Sequence, residues 1–134
     1  MGDPGVEMNA LALEGLALVT EGRVAEGMRR LDEATAAATA GEVKELHAVG
    51  VVCCWQMFAC ERVRDYERAA QWCTRVKEFA KRWRNVPLSG VCRSQYAGVL
   101  IWRGDWAAAE AELTQAAGDL DLAWLTSHTS CPGP

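Results

Sequence analysis

Long apolar runs are missing from this sequence of 134 residues. None approaches the roughly 20 residues that a membrane-spanning helix needs. The longest candidate, residues 48–60, is interrupted by Gln56. The opening MGDPGVE is acidic and has no Ser or Thr at its sixth position. A secretory signal begins with basic residues and a myristoylation site needs that hydroxyl, so neither is expected. A soluble, cytoplasmic chain with no membrane contact is the expectation. Proline is scarce, with 4 residues, which argues against a Pro-rich linker. β-Branched residues are sparse beside Ala, Leu, Glu and Arg, a balance that favours helices over strands. No Cys-x-x-Cys pair and no Gly-x-x-x-x-Gly-Lys-Ser/Thr loop occurs, and there are only 2 histidines. Zinc-ribbon, thioredoxin-like and P-loop chemistry therefore have no motif here.

Half of the residues are apolar and 24% are charged. That composition suits one globular domain with a core that needs neither disulfides nor a structural metal. The net charge of −4 conceals a pattern. Residues 1–60 carry 4 basic and 9 acidic side chains, residues 61–103 carry 10 and 4, and residues 104–134 carry none and 5. A basic island thus lies between acidic ends. It is either a surface for an acidic partner or a solvated helix face paired with its acidic neighbours, and the second reading is the simpler. A pI near 5.2 makes a poor general nucleic-acid binder, because phosphate neutralisation supplies most non-specific affinity. No direct DNA binding is expected.

Nearly every segment reads as helix. Leu11, Leu18, Val24, Met28 and Leu31 recur at helical spacing. Gly22, Gly41 and Gly104 stand where helices would end. Asp65 and Asp105 are natural N-caps, and Pro87 marks a break after Asn85 and Val86. The pattern predicts six helices, near 6–21, 24–40, 43–63, 66–84, 87–103 and 105–118. Residues 119–134 contain Ser, Thr, Pro and Gly and no basic group, and are expected to be a partly disordered tail, frayed after Trp124.

The six helices repeat in pairs. Three windows align, EGRVAEGMRRLDEA from Glu21, VRDYERAAQWCTRV from Val63 and RGDWAAAEAELTQA from Arg103. Equivalent positions are Val24, Tyr66 and Trp106; Gly27, Ala69 and Ala109; Leu31, Cys73 and Leu113; and Ala34, Val76 and Ala116. In the preceding helices Gly15, Met57 and Ala97 align, as do Leu18, Cys60 and Leu100. Small residues at Gly15, Gly27, Ala97 and Ala109 permit close helix approach. A helix pair cannot bury its apolar stripe alone, so such units stack. The repeats fall at about 6–41, 42–84 and 86–118 of a helical domain spanning 1–118.

Tyr96-Ala97, Leu100, Gly104-Asp105-Trp106, Ala109, Leu113 and Ala116 resemble the tetratricopeptide repeat. Asp65-Tyr66-Glu67, Ala69-Ala70 and Val76 match it in the second copy, and Gly15, Leu18, Gly22, Gly27, Leu31 and Ala34 in the first. The spacing here exceeds that motif's usual period of about 34 residues. The stretches ACERVRDYERAAQWCTRVKEFAKRW and YAGVLIWRGDWAAAEAELTQAA are similar to the helical-repeat region of large actinobacterial LuxR-type regulators of the maltose-activator class. The resemblance implies an all-α fold, a right-handed superhelix of three antiparallel helix pairs. It implies a non-enzymatic protein-interaction module, a fragment or stand-alone relative of a regulator's repeat region. The change of composition after Gly118 fits truncation. The alternative is a regulatory domain that senses a small molecule.

The family's groove positions fall on Asn9, Ala12 and Leu16, then Val51, Cys54, Phe58 and Arg62, then Val91, Ser94 and Gly98. A protein or peptide segment would lie there, with Arg62 pairing a partner carboxylate and Phe58 supplying apolar area. An uncapped last repeat would favour a homodimer or attachment to more repeats.

No catalytic set emerges, and neither cofactor nor metal is expected. The cysteines are Cys53, Cys54, Cys60, Cys73, Cys92 and Cys131. Cys60 and Cys73 occupy apolar repeat positions and should pack as small hydrophobes. Arg62 and Arg64 would activate Cys60 only if its thiol were exposed. His47 precedes Cys54 by two helical turns, but one His and one Cys do not make a zinc site. Trp106 has a repeat-core reading. Trp72 and Trp83 share a face of a basic helix, either stacking a partner or packing between repeats.

Overall fold

A computed structural model describes residues 3–84 and 86–129. They form six α-helices, α1 (Pro4–Thr20), α2 (Val24–Thr39), α3 (Leu46–Val63), α4 (Tyr66–Arg82), α5 (Val86–Arg103) and α6 (Trp106–Thr129), and no strand among the described residues. The protein is all-α.

The helix ends follow local chemistry. Asp3 caps α1 by accepting the Gly5 N–H at 2.8 Å, with Pro4 in the first turn. Asp65 accepts from the Arg68 N–H at 3.1 Å, and Asp105 from the Ala108 N–H at 3.3 Å. These are the expected caps. The three first helices of the pairs end in the same way. Arg23 N–H donates to Leu18 O at 2.8 Å, Asp65 N–H to Cys60 O at 3.0 Å, and Asp105 N–H to Leu100 O at 2.9 Å. In each the intervening residue is left-handed: Gly22 at φ 93°, Arg64 at 60° and Gly104 at 88°. This is the Schellman closure, which glycine enters without strain and Arg64 does not.

α6 is longer than the sequence pattern predicts. Its boundary was expected at 118, yet the helix runs through Gly118 to Thr129. No proline interrupts this stretch, and α5 receives it. Arg93 Nε faces Asp119 Oδ2 at 3.4 Å, and a Cβ on Gly90 would stand 2.9 Å from Leu120 Cγ. The expected disorder of 130–134, with Cys131, lies outside the described residues. α3 begins at Leu46 rather than near 43: Gly41 is left-handed (φ 85°), 42–45 have no regular secondary structure, and Glu45, the residue before the helix, is extended.

Helices adjacent in sequence pack together, and α1 also packs on α3, α3 on α5, and α2 on α4. α1 and α2 approach each other closely. A Cβ on Gly15 would lie 2.8 Å from Gly27 O, and one on Gly27 would lie 2.6 Å from Gly15 O. Ala97 and Ala109 hold the equivalent buried places between α5 and α6, and Met57 and Ala69 those between α3 and α4. The main core joins α1 to α5 through residues such as Leu31, Val49, Val52, Met57, Cys60 and Val76, all essentially inaccessible. Burying a side chain such as Leu31 stabilises by about 1.5–3 kcal/mol.

One polar cluster crosses this core. Asp32 Oδ1 accepts from Gln56 Nε2 at 3.1 Å and from Trp72 Nε1 at 2.8 Å, while Asp32 Oδ2 faces Arg68 Nε at 3.2 Å. The Thr35 hydroxyl lies 2.9 Å from Gln56 Oε1 and 2.8 Å from Leu31 O. The buried amide that interrupts the apolar run of α3 is thus satisfied by α2.

Candidate functional site

α3 packs on both α1 and α5 and carries Val51, Cys54, Phe58 and Arg62 of the expected groove residues. His47, Val51 and Cys54 follow one another at four and three positions and so share a helix face. Together with Leu46 and Trp55 of α3, and with Leu88 and Val91 of α5, they line a cleft of about 540 Å³. Val91 is exposed and Val51 and Cys54 are half-buried. The cleft is apolar apart from the His47 ring and the Cys54 thiol. Burial pushes the Cys54 thiol above its ordinary value. A thiol held protonated in this way is a poor nucleophile. No cluster of three metal-ligating side chains exists among the described residues.

Phe58 and Arg62 continue along α3 into a second cleft of about 350 Å³, shared with Glu61, Arg64 and Trp102. The Arg62 guanidinium stands 5.7 Å from the Phe58 ring centre, and that of Arg64 only 3.8 Å from the Trp102 ring. Trp102 Nε1 donates to Glu61 Oε1 at 3.2 Å. Neither Arg62 nor Arg64 makes an ion pair among the described residues. Two cations are therefore held over aromatic faces, which stabilises them; Arg64 Nη1 also donates to Glu61 O at 2.8 Å, and Arg62 has no such carbonyl bond among the described residues. The sequence drew attention to Phe58 and Arg62 and missed Arg64 and Trp102. Trp102 is 41 residues from Glu61, and nothing local in the sequence joins them.

The structure does not bring Asn9 or Ser94 into either cleft. Ser94 Oγ donates to Gly90 O at 3.0 Å within its own helix. Asn9 Oδ1, on α1, is buried and has no hydrogen-bond partner among the described residues. Ala12 is fully buried and Leu16 half-buried, so α1 contributes little open surface here.

The basic island is partly consumed inside the fold. Arg68 pairs with Asp32 and Asp65, Lys77 with Glu112, and Arg93 with Glu112 and Asp119. Lys81, Arg82 and Arg84 have no ion pair among the described residues. Trp72 and Trp83 do not form a stacking pair on one face. Trp72 is buried with its N–H on Asp32, and Trp83 lies just beyond the end of α4, half exposed, 6.0 Å from Phe79. Trp72 thus packs between helices. Cys60 and Cys73 are buried as small hydrophobes. Burial is the main cause that pushes the Cys60 thiol up to about 12, so Arg62 and Arg64 do not activate it. The repeat-core expectation for Trp106 is overturned, since it is 70% exposed. Its ring belongs to a face of α6 that no described helix covers.

The sequence matches no family model, and no curated protein or solved structure matches it. No helix among the described residues is long and apolar enough to cross a membrane.

Proposed function

We propose that this protein is a non-enzymatic interaction module built on a tetratricopeptide-like array. Its three antiparallel helix pairs would stack in a right-handed superhelix, and it would be a fragment or stand-alone relative of the repeat region of a LuxR-type regulator. The carrying observation is that one face of α3 lines two clefts in succession, the first apolar and the second cationic. That face begins at Leu46 and Val51, is flanked by Val91 of α5, and ends at the guanidiniums of Arg62 and Arg64, neither of which makes an ion pair among the described residues. A partner segment with an apolar anchor followed by a carboxylate fits that order. The repeated helix closures after Leu18, Cys60 and Leu100 support the array.

Affinity capture with immobilised protein tests this reading. A specific partner should bind the native chain, be lost with Val51→Glu and Val91→Glu together, and weaken about tenfold with Arg62→Glu. A charge reversal at Glu33 on α2 should change nothing. Equal recovery on all variants would refute the reading. Sensing of a small molecule is the second reading. The cleft of about 540 Å³ lies in the volume range of ligand pockets, about 300–1,000 Å³. It predicts a rise in melting temperature with a compound that Val51→Glu abolishes, and no macromolecular partner.

A further inference from the structure

The second helix of each pair carries the same stripe. In α2 it runs through Val24, Leu31, Thr35 and Ala38; in α4 through Tyr66, Cys73, Lys77 and Ala80; in α6 through Trp106, Leu113, Ala117 and Leu120. Steps of seven, four and three keep these residues on one helix face. Leu31, Thr35 and Ala38 are completely buried, and α3 packs on α2. Cys73 and Ala80 are buried, and α5 packs on α4. On α6 the stripe lies open: Leu113 is 45% exposed and Ala117 is exposed beside it, while Leu120, 40% exposed, also touches Gly90 of α5; Trp106 is exposed too, as is its equivalent Val24. Exposed Ile101 of α5 extends it, and a cleft of about 520 Å³ runs along it, with Glu110 in its wall.

α1 is made differently. The face by which α3 is buried holds Val49, Val52, Gln56 and Ala59, and the equivalents in α5 are Ser89, Cys92, Tyr96 and Val99. In α1 the equivalents are Glu7, Ala10, Glu14 and Ala17, all exposed. Two glutamates suit that face to water. Stacking it on α6 of a second copy would press them against Leu113 and Leu120, where residues 104–121 offer no Lys or Arg. Glu14 reaches Arg30 only at 3.8 Å and Glu7 makes no ion pair among the described residues, so burial would leave their charge poorly compensated, which is strongly unfavourable. Pairing α6 with α6 would bring Asp105, Glu110 and Asp121 of two copies together, which like-charge repulsion opposes.

We propose that the open stripe of α6 docks an amphipathic helix of a partner protein, apolar on one face and bordered by Lys or Arg, seated as α5 is seated on α4. Charge complementarity selects this occupant. Of the acidic residues on 104–121, Glu112 and Asp119 already hold Lys77 and Arg93. Glu110, in the cleft wall, makes no ion pair among the described residues and is left for a partner's cation. α5 is itself a helix of the required kind, since residues 86–103 carry Arg93 and Arg103 and no acidic side chain. This surface is separate from the α3–α5 groove and does not depend on it.

The probe is a fluorescein-labelled peptide with the sequence of residues 86–103, titrated with the intact protein and read by fluorescence anisotropy. A peptide of residues 4–20, which carries Glu7 and Glu14, is the control. Saturable binding of the first peptide is expected, at least tenfold tighter than the control. Leu113→Lys or Ala117→Lys should weaken it at least tenfold while far-UV circular dichroism stays native, and Glu33→Lys on α2 should leave it unchanged. Absence of saturable binding, or binding indifferent to both α6 variants, overturns the proposal. Light scattering that shows a dimer, returned to monomer by Leu113→Lys, overturns it too, by placing a second copy on the stripe.

Discussion

Replacing Asp32 by alanine removes one carboxylate on which three helices converge. Its two oxygens serve Gln56 of α3 and Trp72 and Arg68 of α4. Gln56 is completely buried and Trp72 nearly so. A buried donor left without an acceptor costs about 1–3 kcal/mol. Two donors are stranded, although Gln56 Nε2 still lies 3.7 Å from Cys60 Sγ, so the loss should be about 2–4 kcal/mol. The Arg68 pair adds little. Its side chains are 31% and 33% exposed and Arg68 keeps Asp65 at 2.6 Å, so its share is below about 1 kcal/mol. Asp32→Asn separates the two effects, because the amide oxygen still accepts from Gln56 and Trp72 while the charge is gone. It should cost only about 1 kcal/mol. Urea unfolding, followed by far-UV circular dichroism and by tryptophan fluorescence, measures both variants. Equal losses for alanine and asparagine would show that charge rather than acceptor capacity matters. A loss well below 1 kcal/mol for alanine would refute the network as a stabilising element.

Two further tests probe the helix contacts and the thiols. Gly27→Ala should destabilise by about 1–3 kcal/mol through overpacking, because its Cβ would lie 2.6 Å from Gly15 O and 2.7 Å from Val19 Cγ2. Gly118→Ala has nothing within 4 Å inside α6 and should stabilise by about 0.5–1 kcal/mol from helix propensity; thermal unfolding that ranks the two the other way would be contrary. Burial is the main cause that pushes the Cys53 and Cys60 thiols up to about 12 from 9.0. Above pH 9 the unfolded chain then releases protons that the native chain retains, so stability should fall as pH rises from 9 toward 12. Denaturation midpoints across that range should show a shallower fall in a Cys53→Ala, Cys60→Ala variant than in the native chain, and identical slopes would remove the idea.

The sequence marks helices where the signal is local. Gly22, Gly41 and Gly104 take the positive φ that a helix end requires, and Asp65 and Asp105 cap because their carboxylates reach an N–H three residues on. The extent of α6 is not local in this sense. Residues 119–129 contain the Ser, Thr and Asp of a frayed end, yet Asp119 and Leu120 meet Arg93 and Gly90 on α5. Gln56 gives the same lesson. In the sequence it only interrupts an apolar run, and its meaning rests on Asp32, which lies 24 residues earlier.

Repeat register predicts which residue occupies a place, and burial of that place depends on the helix that comes next. Leu31, Cys73 and Leu113 hold one register, yet the first two are buried and the third is open. Trp106 differs, because its register is exposed at Val24 (39%) and only half-buried at Tyr66, so that place is not a core place even where a helix follows. That Val51, Cys54, Phe58 and Arg62 share one face was legible from the spacing within α3 alone. The groove was not legible across helices. Asn9 and Ser94 depend on how α1 and α5 turn relative to α3, and Arg64 with Trp102 depends on a contact between α3 and α5. A single sequence fixes rotation about a helix axis well and the angle between axes poorly. The side chains that close a site from the neighbouring helix are therefore the ones that remain to be found in the structure.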